Sequence, residues 1–368
     1  MTKLSAATFL RIEFVTRRCG VRRLPRRRKC SVHPRFTGAF LLLILVAGCS
    51  SNPLVSAPPT IEPAHPAVSP PVTQPPAGVV RPLDGHPQQA MFDAGTAELV
   101  VLTPGADAAA PASVTVLAKA PAAPRVLALP GPATALTCDG ANAYLAGRGG
   151  YFRLDLPSGR VEQVKITGAE TVEFTAIARR ADGTLVLGSA DGAVYLLAAD
   201  ARSIAHRDEL FARVDALVTQ GNTAVALDRG QTSVTTINAD GRAEQALRAG
   251  EGATTMAADP LGRVLVTDTR GGNLLVYGVS PLLLRQSYPV RQAPYGLAGS
   301  RTLAWVSQTA SNIVIGYDLT TGIPVERVHY PTVQQPNSLA YDDASDTLYV
   351  VSGSGAGVQV IEHAAANR

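Results

Sequence analysis

One apolar position recurs along most of the chain at nearly constant spacing. The steps between successive copies run from 39 to 45 residues and average about 41. The copies are Met91, Leu136, Ile177, Leu217, Met256, Leu297 and Leu339. A repeat of this length is typical of architectures built from one supersecondary unit used many times. We therefore expect seven copies of one small unit between residues 78 and 368.

Each unit is rich in short apolar runs separated by Gly, Asp, Ser and Asn. In the first unit the anchor is followed by Leu99–Leu102, Val114–Leu117 and Arg125–Leu129. Four short antiparallel strands in about 40 residues predict one blade of a β-propeller. A β-sandwich has strands of similar length, but it does not repeat the same order seven times. The fold class predicted is all-β, a seven-bladed β-propeller of four-stranded antiparallel blades.

The two ends of the repeat region are complementary. The seventh unit stops after its third strand, Val358–Ile361, and lacks a fourth. The segment Gly78–Leu83 precedes the first anchor and resembles the end of a unit. An open ring would leave two unpaired strand edges. We therefore predict that Gly78–Leu83 pairs with Val358–Ile361 and closes the ring.

Three late segments carry a family resemblance. Thr302–Gly322 and Asp346–Glu362 resemble the YVTN-type propeller repeat, and Gly262–Gly278 is a weaker copy. Each has an apolar run, a Ser, Asn or Gly loop, and a second run rich in Val and Ile. The resemblance extends over residues 254–362, whereas residues 88–253 share only the spacing. It implies a seven-bladed propeller of a kind common in exported bacterial proteins, a fold that supports many functions.

The N-terminal region predicts export and lipidation. Basic residues precede the apolar run Phe40–Leu45, which is followed by Val46, Ala47, Gly48 and Cys49. This arrangement is typical of a signal peptide, and a cysteine at the cleavage site resembles the lipobox of bacterial lipoproteins. The resemblance implies cleavage after residue 48, lipidation of Cys49 and attachment to the extracytoplasmic side of the cell membrane. A transmembrane segment is the alternative, but Gly38 to Gly48 is too short to cross a bilayer.

Two details of the signal region stay open. The pairs at 17–18 and 22–23 are both Arg-Arg, which raises a twin-arginine export signal. Translation that begins near Val21 instead of Met1 would also explain the unusual length of the basic region.

The net charge argues against a nucleic-acid partner once the signal is set aside. The whole chain carries +4, but residues 1–48 hold 11 of the 33 Lys and Arg and one of the 29 Asp and Glu. The remainder carries −6. A mildly acidic domain has no electrostatic attraction for a polyanion.

Residues 49–77 form a proline-rich stretch between the predicted lipid and the propeller. Proline at this density favours extended polyproline II conformation. We expect a tether, and the 28 residues from Ser50 to Ala77 reach roughly 85 Å. A proline-rich ligand for a partner protein is the alternative.

The sequence contains no motif of an enzyme, metal site or cofactor site. No G-x-S-x-G is present, the histidines are scattered, and Cys138 has no partner in the mature region. Quinone-binding propellers depend on repeated tryptophans, whereas this chain has only Trp305, which we expect to pack between blades. No catalytic residue, metal or cofactor is predicted.

The loops between second and third strands converge on one face of a propeller, where ligands bind. We predict that this exposed rim takes a protein or a small polar ligand. The candidate residues are Arg148, Asp228, Arg229, Asp268, Arg270 and Gln308. The function predicted is a lipid-anchored, non-catalytic binding or scaffold module of the cell envelope. The alternative is a lactonase-like or dehydrogenase-like enzyme with its site at the channel mouth.

Overall fold

The computed structural model describes residues 59–366, and this part of the chain is built from strands and turns with no helix. No segment within it is a helix long and apolar enough to cross a membrane. The predicted signal region and Cys49 lie outside the described residues.

The strands form seven four-stranded antiparallel sheets, here called blades 1 to 7. Blade 1 holds β2 (Gln89–Asp93), β3 (Glu98–Thr103), β4 (Ser113–Leu117) and β5 (Arg125–Ala128). Blade 2 holds β6 (Ala135–Cys138), β7 (Asn142–Gly147), β8 (Gly150–Asp155) and β9 (Val161–Lys165). Blade 3 holds β10 (Phe174–Arg179), β11 (Leu185–Ser189), β12 (Ala193–Leu197) and β13 (Ile204–Glu209). Blade 4 holds β14 (Ala216–Gln220), β15 (Thr223–Asp228), β16 (Ser233–Ile237) and β17 (Ala243–Arg248).

The remaining blades follow the same order. Blade 5 holds β18 (Ala253–Ala258), β19 (Arg263–Asp268), β20 (Asn273–Val279) and β21 (Leu282–Pro289). Blade 6 holds β22 (Pro294–Gly299), β23 (Ala304–Gln308), β24 (Ile313–Asp318) and β25 (Val325–Pro331). Blade 7 holds β26 (Pro336–Asp342), β27 (Thr347–Ser352), β28 (Val358–Ile361) and β1 (Val79–Arg81).

The first strand of every blade lines a central channel. These seven strands contact one another in sequence around the ring, and β26 contacts β2 to close it. The channel encloses about 420 Å³, and all seven repeated apolar residues lie on its wall. The predicted seven-bladed propeller is therefore confirmed, and the repeat marks the innermost strand of each blade.

The N-terminal strand closes the ring as predicted. Strand β1 pairs with β28 in antiparallel register, with Val79 opposite Val360 and Arg81 opposite Val358. Gly78 precedes the pairing at a positive φ of 71°, and a Cβ there would lie 2.2 Å from the carbonyl oxygen of Val360. A glycine is needed at this point because the backbone of blade 7 approaches so closely.

The core lies between the blades. Second and third strands are buried on both faces, whereas fourth strands such as β13 alternate between half-buried and exposed side chains. Trp305 is fully buried, and its ring stacks on Tyr341 of blade 7 at 5.6 Å between centroids. The expected packing of this tryptophan between blades is thus observed.

Residues 59–77 have no regular secondary structure. A free tether was predicted over 49–77, yet residues 60–70 and Ala77 make hydrogen bonds to blades 4 to 7. For these residues the expectation of a free spacer is wrong, because polar side chains of distant loops bind their backbone.

Candidate ligand-binding face

The six candidate rim residues all lie at the end of a second strand or in the turn that follows it. Arg148 follows β7, Asp228 and Arg229 end or follow β15, and Asp268 and Arg270 end or follow β19, while Gln308 ends β23. These turns open on the face that also carries the blade-to-blade connections. We call it the upper face, and it is the face that residues 60–70, here the docked segment, contact.

Asp228 and Asp268 are buried and organise the loops of the upper face. The Asp268 carboxylate accepts hydrogen bonds from the backbone N–H groups of Glu251 (3.0 Å), Gly252 (2.8 Å) and Gly271 (2.9 Å). Asp228 accepts from three backbone N–H groups in the equivalent loops of blade 4. Since their oxygens already have partners, we assign both carboxylates to loop structure.

Gln308 is not part of an exposed rim. Its side chain is only 8% exposed, and its Oε1 accepts a hydrogen bond from the Ser311 hydroxyl at 3.2 Å. Gln308 is the last residue of β23 and faces the turn that follows, which is why the expected exposure is wrong.

Arg229 and Arg270 both bind the docked segment. Arg270 donates from Nη2 to the carbonyl of Glu62 at 2.7 Å, and Arg229 donates from Nη2 to the carbonyl of Ala64. Arg148 is exposed and lies in blade 2, away from these two arginines in the ring. The upper face therefore splits into a part that holds polypeptide, over blades 4 to 6, and a part around blade 2 that stays open to solvent at Arg148.

Blade 6 and its connection to blade 7 hold the second half of the docked segment. The Thr309 hydroxyl accepts a hydrogen bond from the Ala67 N–H at 3.1 Å. The Thr309 carbonyl accepts a hydrogen bond from the Ser69 hydroxyl at 2.6 Å. The Gln335 side chain makes two hydrogen bonds to the backbone of the docked segment. Its Nε2 donates to the carbonyl of Ala67 at 2.9 Å, and its Oε1 accepts from the N–H of Ser69 at 3.0 Å. Asn312 donates from Nδ2 to the carbonyl of Pro70 at 2.8 Å.

Two small side chains of the docked segment are buried in the upper face. Ala64 is 7% exposed and Ser69 is 4% exposed. A Cβ on Gly252 would lie 3.0 Å from the Cβ of Ala64, so the glycine makes room for the segment. This close approach limits position 64 to a small residue. Position 69 is limited by burial and by the two hydrogen bonds of the Ser69 hydroxyl, to the Thr309 carbonyl and from the Gln335 N–H.

Asp215 stands where the channel opens on the upper face. Its Oδ2 accepts from the Arg229 N–H at 2.8 Å and its Oδ1 accepts from Arg213 Nε at 3.1 Å. Burial raises the pKa of this carboxyl above its ordinary value, and burial also raises the pKa of the nearby Tyr295 hydroxyl on the channel wall. Within residues 59–366 no three His, Cys, Asp or Glu side chains group closely enough to hold a metal ion.

The residues that hold the docked segment from blade 6 and its connection to blade 7 include three that were not predicted as candidates. Thr309, Gln334 and Gln335 lie about 240 to 270 positions after their partners. Proline content indicates an extended backbone but not a surface for it. The only signal in the sequence is the polar character of these turns.

No protein-family profile matches the chain, and no curated protein sequence matches it. Solved structures with a similar fold are found. A chain of the mitotic checkpoint complex has a TM-score of 0.66 and 12% identity over 81% of this chain and 98% of its own. The streptogramin B lyase has a TM-score of 0.61 and 11% identity, over 78% of this chain and 96% of its own. Hydrazine synthase from Kuenenia stuttgartiensis has a TM-score of 0.61 and 15% identity, over 78% and 98%. At these identities the similarity concerns the fold alone, and the described part of the chain is a seven-bladed β-propeller.

Proposed function

We propose that this chain is a lipid-anchored propeller of the cell envelope that acts as a non-catalytic protein-binding module, with the upper face as its working surface. One observation carries the proposal. The upper face already binds a polypeptide through side chains of four loops, from Arg229 in blade 4 and Arg270 in blade 5 to Asn312 and Gln335 around blade 6. Specific hydrogen bonds to a backbone are what a peptide-binding surface needs. The YVTN-type repeat is the propeller class we propose for it.

The anchor proposed is a lipid on Cys49. Thr60 lies eleven positions after Cys49, and a fully extended chain over that interval spans roughly 40 Å at most. This is less than half of the reach expected when all of 49–77 is a free tether. The upper face would then stay close to the membrane, and its partner would be a membrane-associated protein or a segment that approaches the membrane.

Detergent partitioning tests the anchor. We expect the wild-type protein to enter the detergent phase and Cys49→Ala to stay in the aqueous phase, because the acyl chains supply the affinity for the detergent. Identical partitioning of both proteins would remove the lipid anchor from the proposal.

Photocrosslinking tests the working face. Arg148 is exposed on the upper face, and Leu261, which is 53% exposed, lies in a turn between a first and a second strand on the opposite face. A benzoylphenylalanine at position 148 is expected to give protein adducts in native membranes, whereas one at position 261 gives none. Adducts from position 261 alone would place the working surface elsewhere.

The alternative function is an enzyme with its site at the channel mouth. The observation in its favour is Asp215, a carboxyl of raised pKa beside Arg229 at the opening of a channel of about 420 Å³. Carboxyls with raised pKa values occur at catalytic sites, although structural networks produce them as well. A stoichiometric divalent ion in the purified protein would favour this alternative.

A further inference from the structure

The upper face binds the docked segment mainly through carbonyl oxygens. Five carbonyls of the segment accept hydrogen bonds from side-chain N–H groups. The donors are Arg270, Arg229, Gln335, Gln334 and Asn312, and the acceptors are the carbonyls of residues 62, 64, 67, 69 and 70. A surface that offers this many donors is suited to a backbone with free carbonyls, as in polyproline II.

The prolines of the segment occupy positions where the face needs no N–H. Only three backbone N–H groups of the segment are used, those of Ile61, Ala67 and Ser69. Pro63, Pro66 and Pro70 fall between or after them. Proline at these positions loses no hydrogen bond and lowers the conformational entropy of the free peptide, which favours binding.

The face also selects side-chain size at two positions. Ala64 and Ser69 are buried, whereas Val68 is 92% exposed and Ile61 is 43% exposed. The segment is therefore recognised by its backbone, by its prolines and by two small residues five positions apart. The exposed side chains at positions 61 and 68 are free to vary.

We propose that the upper face over blades 4 to 6 is a recognition site for extended, proline-rich segments of other proteins that carry a small residue at each of two positions five apart. The docked segment is the intramolecular competitor for that site. This inference rests on the proposed binding function and names the class of its ligand.

A second copy of this chain is a poor candidate for the ligand. Its segment would make the same contacts that each copy already makes within itself, so exchange would add no interaction. The short connection from Pro70 to β1 also keeps the chain's own segment at a high effective concentration, on the order of millimolar. A proline-rich segment of a different protein can offer further contacts, such as those around Arg148.

The test uses the mature chain with its own segment displaced. Ala64→Lys with Ser69→Lys places two charges in buried positions and should release the segment, which protease sensitivity at residues 60–70 monitors. The probe is a fluorescein-labelled peptide with the sequence of residues 59–71, followed by fluorescence anisotropy. Deletion of residues 60–70, which leaves β1 in place, exposes the same face if the lysine variant fails to fold.

We expect saturable binding of the peptide to the unmasked protein and at least about tenfold weaker binding to the wild type, because the docked segment competes. Adding Arg229→Ala with Arg270→Ala should abolish binding, and adding Leu261→Ala, on the opposite face, should not. A peptide with lysine at positions 64 and 69 should not bind.

Two results would overturn the proposal. One is absence of saturable binding to a folded, unmasked protein, and the other is equal binding of the lysine peptide. Either result leaves the partitioning and photocrosslinking experiments unaffected, so failure of this proposal is distinct from failure of the binding function.

Discussion

The Arg270 guanidinium donates a hydrogen bond to the carbonyl of Glu62 at 2.7 Å and so joins blade 5 to the segment before the first strand. Arg270→Ala removes this bond and should weaken docking by about 1–2 kcal/mol. The effect should be local, because the segment opens independently of the ring. We expect about tenfold faster amide exchange at Ile61 and a melting temperature within roughly 2 °C of wild type. Arg148→Ala, on the same face, is the matched control, and equal exchange in the two variants would contradict the contact.

Ring closure depends on the approach of Gly78 to Val360. Gly78→Ala introduces a Cβ 2.2 Å from the Val360 carbonyl oxygen at a φ of 71°, so strand β1 must shift. Gly168 has a comparable φ of 81° with no atom within 4 Å of such a Cβ. Gly168→Ala should lower the free energy of unfolding by about 1 kcal/mol, because alanine is strained at this positive φ. Gly78→Ala should lower it clearly more, because it adds a steric clash to the same strain. Similar melting temperatures for the two variants would mean that β1 does not close blade 7.

Truncation tests closure by a second route. A chain that begins at Pro71 lacks the docked segment but keeps β1, and it should melt close to the wild-type temperature. A chain that begins at Asp84 lacks β1 and leaves β28 as an exposed edge. That chain should melt markedly lower or aggregate. Light scattering alongside the melting curve distinguishes these results, and two monomeric chains with equal stability would refute closure by β1.

Leucines at three depths test the arrangement of the core. Leu265 is fully buried between blades, Leu297 is 5% exposed on the channel wall, and Leu261 is 53% exposed. Leu265→Ala should lower the free energy of unfolding by about 3–5 kcal/mol. Leu297→Ala should lower it by about 2–3 kcal/mol, because Leu297 already borders the open channel and its truncation creates less new cavity. Leu261→Ala should stay within about 0.5 kcal/mol. Urea denaturation measures all three, and a larger loss for Leu297 than for Leu265 would contradict the position of the channel.

Asp268 should affect stability more than Arg270 does. Asp268→Ala leaves three backbone N–H groups of two adjoining loops without their acceptor. We expect a loss of about 2–4 kcal/mol and a lower melting temperature. Asp268→Asn keeps one acceptor oxygen and should recover part of the loss. A melting temperature for Asp268→Ala equal to that of Arg270→Ala would indicate that the loop does not depend on this carboxylate.

Spacing in the sequence predicted the ring because each blade needs one apolar residue at the same place on the channel wall. Leu217 and Leu297 are examples. Strand ends were less predictable, since the segment predicted to close the ring was Gly78–Leu83, whereas β1 covers only Val79–Arg81. Backbone hydrogen bonds set these boundaries, and the pattern of apolar residues does not fix them to the residue.

The site was predictable only in part. Arg229 and Arg270 were identified as candidates, but Asp228 and Asp268 have the same polar character and instead accept hydrogen bonds from their own loops. A turn aspartate that binds a ligand and one that supports its loop look alike in sequence. The docking of residues 60–70 depends on contacts such as Ser69 with Thr309, 240 positions apart, which composition does not reveal.

Residues 60–70 lie on the upper face, and a disulfide trap tests this placement most directly. A Cβ on Gly230 would lie 3.4 Å from the Cβ of Thr60, close to the separation found in disulfides. With Cys49 and Cys138 replaced by serine, Thr60→Cys with Gly230→Cys should oxidise within one molecule to nearly complete yield, read by mass spectrometry of the linked peptides. The control pair, Val68→Cys with Gly230→Cys, should not. If the Thr60–Gly230 pair forms no more intramolecular disulfide than this control, the segment is not docked and the account of the upper face is wrong.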